Sequence, residues 1–247
     1  LTNWLSVEKN FELENLIRKE VDALVDAIIS RGINYWDIGA YSTSALFRNN
    51  SVKRKAFLNN AELLSKVLNG VYQNQLNSDC AVFIGEDIAD PYGGAFKITK
   101  GFSSLKPEQV FSTPISEAGL TGFAIGNSLM GAPAYAEIMF GDFILNAGDQ
   151  IVNNACKFHH MYAHQVSAPV KIRAAMGGGR GYGPTHSQSL EKMFLGVESL
   201  TVVAPTSLRD PSRLINEVVA PLKSPCLIVE NKVDYGRRLA IPREGLL

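Results

Sequence analysis

Cysteine is scarce. Cys80, Cys156 and Cys226 are the only three in 247 residues, far apart and without a Cys-x-x-Cys spacing. That pattern argues against a disulfide framework and a zinc knuckle, and fits a reducing, intracellular compartment. Net charge is missing too: Lys and Arg total 24 and Asp and Glu total 24, so the chain lacks the basic footprint of a generic nucleic-acid binder. No apolar run approaches the roughly 18–20 residues that a membrane helix needs, because Gly, Asp or Asn interrupts each one. A soluble protein with no membrane contact is expected. The sequence opens on Leu1 rather than Met and has no basic stretch followed by an apolar run. No signal peptide is therefore expected, and a start inside something longer is.

What is present is ordinary globular material, with 46% hydrophobic and 19% charged residues. At roughly 150 residues per domain, the length allows one full domain and an appendage. Residues 11–31 place Leu13, Ile17, Val21, Leu24 and Ile28 on one face of an amphipathic helix that ends at Arg31-Gly32. Residues 33–56 lack a period and carry Lys53-Arg54-Lys55, a linker with a solvated basic trio. The expected division is a helical extension and linker over 1–56, a main domain over 57–240, and the start of a further linker over 241–247.

From Asn60 the pattern changes. Leu64, Val67, Leu68 and Val71 share a helical face, and short apolar runs follow at 81–84, 110–113, 134–138, 170–174, 200–204 and 226–229. Helix-length stretches at 118–130, 144–163, 188–196 and 209–220 separate several of them. Strands that are apolar on both faces, separated by helices, predict an α/β fold with a mostly parallel sheet covered on both sides. Chemistry then belongs in the loops beyond the strand ends: 85–94, 113–118, 139–143, 175–188 and 205–208.

Several residues in or near those loops are candidates. The cluster Gly177-Gly178-Gly179-Arg180-Gly181-Tyr182-Gly183 completes neither phosphate-binding glycine pattern, which leaves a mobile or tightly turned loop or an ordinary connection. His186 follows it, where an imidazole can reach a substrate. Glu117 follows a strand and opens a helix; it is either a carboxylate favoured by a helix N-terminus or a partly buried acid with a raised pKa that shares a proton with a bound base. His160 and His164 lie one turn apart, but Met161 removes the His-Glu-x-x-His pattern, so no metal site is expected. Asp149 and Gln150 are expected to form a hydrogen-bonded structural pair within an apolar helix. With no Gly-x-Ser-x-Gly elbow, a serine hydrolase is disfavoured.

Taken in order, Gly85-Glu86-Asp87, Tyr92-Gly93-Gly94-Ala95-Phe96, Thr113-Pro114-Ile115-Ser116-Glu117, Glu137-Ile138-Met139-Phe140, Asp149-Gln150-Ile151-Val152-Asn153, His186-Ser187-Gln188-Ser189 and Val229-Glu230-Asn231 form a recognisable set. The set resembles the β-type half of the thiamine-diphosphate-dependent 2-oxoacid dehydrogenases, in its transketolase-like pyrimidine-binding domain. The resemblance spans residues 60–238. It implies an oxidoreductase component that decarboxylates a 2-oxoacid on thiamine diphosphate and passes the acyl group to a lipoyl carrier in a multienzyme complex. It further implies that Glu117 hydrogen-bonds the aminopyrimidine ring, that Phe143 stacks on that ring, that His186 acts at acyl transfer, and that Glu86 lines the same pocket.

The family's Gly-Asp-Gly motif is absent. The resemblance therefore implies that this chain holds only the pyrimidine end of the cofactor, while an α-type diphosphate-binding domain or subunit holds the Mg2+. A lipoyl-bearing acyltransferase and homo- or hetero-oligomeric assembly are the other implied partners, in the cytoplasm or, in a eukaryote, the mitochondrial matrix. Asn146 departs from the glutamine of many relatives, and Ala134–Ile138 is nearer to branched-chain than to pyruvate enzymes. Residues 1–55 match nothing recognisable and are expected to be the tail of a fused α-type half, and the family's C-terminal domain is not expected within 247 residues. Acetoin dehydrogenase chemistry, a transketolase-like synthase and a non-catalytic assembly module are the alternatives.

Overall fold

The computed structural model describes residues 62–207 and 210–239. The expected helix over 11–31, the linker with Lys53-Arg54-Lys55 and the segment 241–247 lie outside the described residues.

Six strands, β1 (Val82–Glu86), β2 (Val110–Thr113), β3 (Ala134–Ile138), β4 (Lys171–Met176), β5 (Thr201–Val203) and β6 (Cys226–Asn231), fall on the six apolar runs of the sequence. They form one sheet in the order β2-β1-β3-β4-β6-β5, and every neighbouring pair is parallel. Parallel strands need long crossovers, which place helices over both faces. Accordingly β1, β3 and β4 are buried along their whole length.

Because successive side chains point to opposite faces of a strand, each strand feeds two separate cores. Ile84, Ala136, Ile172, Ala174 and Leu227 meet Leu120, Ala124 and Ile151 in one layer. Phe83, Tyr135 and Ile228 meet Leu64, Val67, Leu68 and Val71 of α1 (Leu64–Gln75) in the other. Phe83 stacks on Tyr135 with ring centroids 4.6 Å apart and takes Phe102, from α2 (Phe102–Leu105), edge-on at 5.3 Å.

The α1 face of the sheet also buries charge. Glu137 on β3 and Arg173 on β4 are register partners. Arg173 Nη1 donates to Glu137 Oε2 at 2.6 Å, while Nε and Nη2 donate to Glu230 Oε1 and Oε2 at 3.1 and 2.7 Å. The hydroxyls of Tyr72 and Tyr235 each donate to Glu230 at 2.6 Å, and the guanidinium lies 4.4 Å from the centre of the Tyr72 ring. Burial pushes the Glu137 carboxyl up even beside Arg173. At Glu230 the same burial is outweighed by the guanidinium and the phenol hydrogen bonds, which hold its carboxyl below the ordinary range.

The helices differ from expectation in three places. The stretch 144–163 is not one helix but a 3-10 segment (Gly141–Ala147), a π-helical segment (Gln150–Ala155) and a short α-turn (Phe158–Met161). Ile144, Ala147, Ile151 and Ala155 still reach one core, so packing is satisfied while the winding changes to suit it. The stretch 188–196 holds only a 3-10 turn at Glu191–Met193. The carbonyl of Gln188, which a helix would turn to a residue further along the chain, instead accepts from Gly177 N at 2.9 Å, and its N–H donates to Asp142 Oδ1 at 2.9 Å. Residues 209–220 hold an α-turn at Pro211–Arg213 that widens into a π-helical segment at Leu214–Val219. The expected helix at 118–130 is α3 (Glu117–Leu129).

Arg173→Met removes the guanidinium but keeps much of its length. It is expected to cost about 3–5 kcal/mol, measured as a fall in the urea unfolding midpoint. Glu137→Gln should cost less than Glu230→Gln, since burial already favours the neutral form of Glu137; the reverse order would place the retained negative charge on the wrong carboxylate.

Candidate active site at the carboxyl end of the sheet

In an open parallel sheet, a crevice opens where the connections of two neighbouring strands leave in opposite directions. Here β1 leads to β2 on one side and β3 leads to β4 on the other, so that crevice lies beyond the carboxyl ends of β1 and β3. Glu86 ends β1, and residues 139–147 follow β3.

Helix α3 begins against this crevice. The Ser116 side chain caps it by accepting the Gly119 N–H at 3.2 Å, which fixes Glu117 in the first turn, where the helix dipole favours a carboxylate. Glu117 is 6% exposed, and Asn146 Nδ2 donates to its Oε2 at 3.2 Å. The Ser116 N–H turns the other way and donates to Glu86 Oε1 at 3.0 Å. Two carboxylates thus share one capping residue. Burial raises the Glu86 carboxyl, the negative charge of Glu117 raises it further, and the Ser116 N–H only partly offsets both. Thr113, the register partner of Glu86, keeps a buried hydroxyl without a hydrogen-bond partner among the described residues. A buried acid pair beside an unsatisfied hydroxyl suits a polar nitrogen heterocycle better than an apolar ligand.

The 3-10 segment Gly141–Ala147 carries both Asn146 and Phe143. It lies directly on the end of β4, where a Cβ at Gly141 would overlap Met176, so only glycine allows the approach. Phe143 meets the imidazole of His186 edge-on at 5.2 Å, and Phe140 meets it edge-on at 4.8 Å. Thr185 Oγ1 lies 2.9 Å from His186 Nδ1. His186 is reached by the glycine loop, in which Gly177, Gly179, Gly181 and Gly183 all take positive φ, at 92°, 80°, 78° and 78°. The cluster is a tightly turned path that only alternate glycines trace without strain.

Contacts therefore run from Glu86 through Ser116 and Glu117 to Asn146, and from Phe143 to His186 on the same segment. Asp149 and Gln150 do not form the expected pair. Asp149 Oδ1 accepts from Asn153 Nδ2 at 2.7 Å and Gln150 Oε1 from Asn154 Nδ2 at 3.2 Å, because Ile151 and Ala155 take the core-facing positions. His160 and His164 lie away from the crevice, with His160 Nε2 3.8 Å from Glu198 Oε1. Among the described residues no group of three or more His, Cys, Asp or Glu is placed to hold a metal ion.

Sequence reasoning missed Asp142, Gln188 and Lys232, which fasten the His186 loop. The only signal was the charge of Lys232, three residues after the apolar run 226–229.

Residues 64–237 match the family described as transketolase, pyrimidine binding domain. The pyruvate dehydrogenase E1 component subunit beta-1 of Arabidopsis thaliana is 35% identical over 181 residues, covering 72% of this chain and 49% of that protein. The pyruvate dehydrogenase E1 component subunit beta of Rickettsia conorii is 33% identical over 180 residues, covering 72% and 55%. The acetoin:2,6-dichlorophenolindophenol oxidoreductase subunit beta of Cupriavidus necator is 32% identical over 179 residues, covering 69% and 53%. The chain spans about half the length of the curated relatives it matches. A solved structure described as a split gene transketolase, inactive beta4 tetramer, shares the fold with a TM-score of 0.54 at 22% identity, covering 75% of this chain and 54% of that one.

Glu117→Gln removes the negative charge next to Glu86, so the Glu86 carboxyl should titrate at lower pH in that variant than in the parent. Carboxyl-carbon NMR with Glu86→Gln as the assignment control measures it; an unmoved midpoint would mean that the two side chains do not sense each other.

Proposed function

Because the chain belongs to the transketolase pyrimidine-binding domain family, we propose that it supplies the aminopyrimidine half of a thiamine diphosphate site in a decarboxylating 2-oxoacid dehydrogenase component. The observation that carries this reading is Glu117, a buried carboxylate at the crevice of a parallel sheet, with Asn146 on one oxygen and the raised Glu86 carboxyl beside it. The domain that does this is taken as 57–240, which encloses the family match over 64–237.

In this reading Glu117 bonds a ring nitrogen of the aminopyrimidine and shares a proton with it. Asn146 holds Oε2, leaving Oε1 for that bond. Glu86 stands behind as a second carboxyl that keeps its proton to higher pH than an ordinary glutamate. Phe143 offers an aromatic face to the pyrimidine. When bound, thiamine diphosphate supplies the carbon nucleophile and the electron sink that loss of carbon dioxide requires. His186 donates or positions a proton as the acyl group leaves for a lipoyl carrier. The diphosphate and its Mg2+ are assigned to an α-type domain or subunit, and the acyl acceptor to a lipoyl-bearing acyltransferase. For a eukaryotic host the proposed compartment is the mitochondrial matrix, by likeness to plant relatives described as mitochondrial. Among the described residues no helix is long and apolar enough to cross a membrane.

The relative from Cupriavidus necator supports a second reading, oxidation of acetoin on the same domain. The assembled enzyme, offered pyruvate, branched-chain 2-oxoacids, acetoin and sugar phosphates with an artificial electron acceptor, separates the two.

Glu117→Ala should lower turnover by about 10²- to 10⁴-fold while assembly, followed by size-exclusion chromatography, is retained. Unchanged turnover would sink the assignment. His186→Ala should impair transfer to a lipoyl domain more than acceptor-coupled decarboxylation; equal losses would remove the narrower role.

A further inference from the structure

Lys232 is the first residue beyond β6 and is fully buried. Its Nζ donates to the carbonyl of His186 at 2.6 Å and faces Asp142 Oδ2 at 3.4 Å, 5.0 Å from the centre of the Phe140 ring. Asp142 in turn accepts the Gln188 N–H at 2.9 Å on its other oxygen. One ion pair therefore fastens the chain on both sides of Ser187. The backbone of Lys232 completes the hold: its N–H donates to Met176 O at 3.0 Å, and its carbonyl accepts from Arg180 Nη1 at 3.0 Å. The start, middle and end of the glycine loop all meet at this one residue.

An ammonium taken out of water is unfavourable unless it is neutralised and hydrogen-bonded, and an apolar side chain of similar length fills such a space without that penalty. A buried charge kept at this position calls for a task that only charge performs. Asp142 lies on the same 3-10 segment as Phe143, so the pair sets the position of the His186 backbone relative to the ring that borders its imidazole. Burial disfavours the charge on both groups and pulls the Lys232 ammonium below its ordinary pKa, while the Gln188 N–H and the ammonium hold the Asp142 carboxyl below its ordinary range.

We propose that Lys232 and Asp142 are positioning residues that hold the His186 imidazole between Phe140 and Phe143 for acyl transfer. The transfer part of this inference rests on the function proposed above; the positioning part does not.

The test uses the full-length chain assembled with its partner. The rate at which diethyl pyrocarbonate modifies His186, followed by mass spectrometry, reports how freely the imidazole is presented. Lys232→Met should raise that rate several-fold, lower transfer to a lipoyl domain by about ten- to a hundredfold, and lower acceptor-coupled decarboxylation much less. An unchanged modification rate in the folded variant overturns the proposal. So does an equal loss of both half-reactions together with a lower unfolding temperature, since that is what a merely structural residue gives. If Lys232→Met does not fold, the near-isosteric Asp142→Asn is read the same way, with a faster modification of His186 expected and an unchanged rate overturning the proposal. His186→Ala separates the two levels: if it leaves transfer intact, the transfer role of His186 fails, while the modification rates still decide the clamp.

Discussion

A guanidinium held between two carboxylates in the middle of a buried sheet ties together several elements of the domain. Arg173 sits on β4, the strand between β3 and β6, and its donors reach Glu137 on one neighbour and Glu230 on the other. Shifting β3 or β6 by one residue would turn its glutamate to the opposite face and leave a buried charge alone. The register of three central strands is thereby tied to one side chain. Tyr72 on α1 and Tyr235 beyond β6 bind the same cluster, so a helix and a loop far apart in sequence are anchored to it as well.

With the strands in register, their carboxyl ends open on one edge of the sheet, and β4 and β6 run two residues past the end of β3. Glu86, the segment from Gly141 to Ala147, and Lys232 all leave from the ends of β1, β3 and β6. None of their side chains spans a long gap: Ser116 caps the helix that carries Glu117 and donates its own N–H to Glu86, and Asn146 needs one hydrogen bond to reach Glu117. Rigid strands deliver the groups to within bonding distance, and short loops finish the placement.

The strands were legible because each carries an uninterrupted apolar run, the signature of burial on both faces. Glu86, Glu117, Phe143 and His186 were legible as residues of particular loops, but their linkage was not. The two glutamates are 31 positions apart in the sequence and are brought together because the main-chain N–H of Ser116, the residue before Glu117, donates to Glu86, which no side-chain pattern records. Residues 188–196 illustrate the opposite failure. Their composition suits a helix, yet the backbone of Gln188 is already committed to Asp142 and Gly177, and tertiary bonding outweighs local preference. The roles of Arg173 and Lys232 could not be read for the same reason: a charge inside or near an apolar run gains meaning only from partners distant in sequence.

The glycine loop divides its positions between scaffold and variable sites. Its four left-handed residues are reserved for glycine by the backbone alone, and a side chain on Gly178 would press against the carbonyl of Ser187. That leaves Arg180 and Tyr182 as the two residues of the loop that carry side chains. Both extend toward the aromatic group formed with Phe96 and Phe140. Arg180 is also bonded to the Lys232 carbonyl, so a change there loosens the middle of the loop, and Tyr182 is left as the one side chain of the loop that divergence or directed evolution can rewrite without touching that hold.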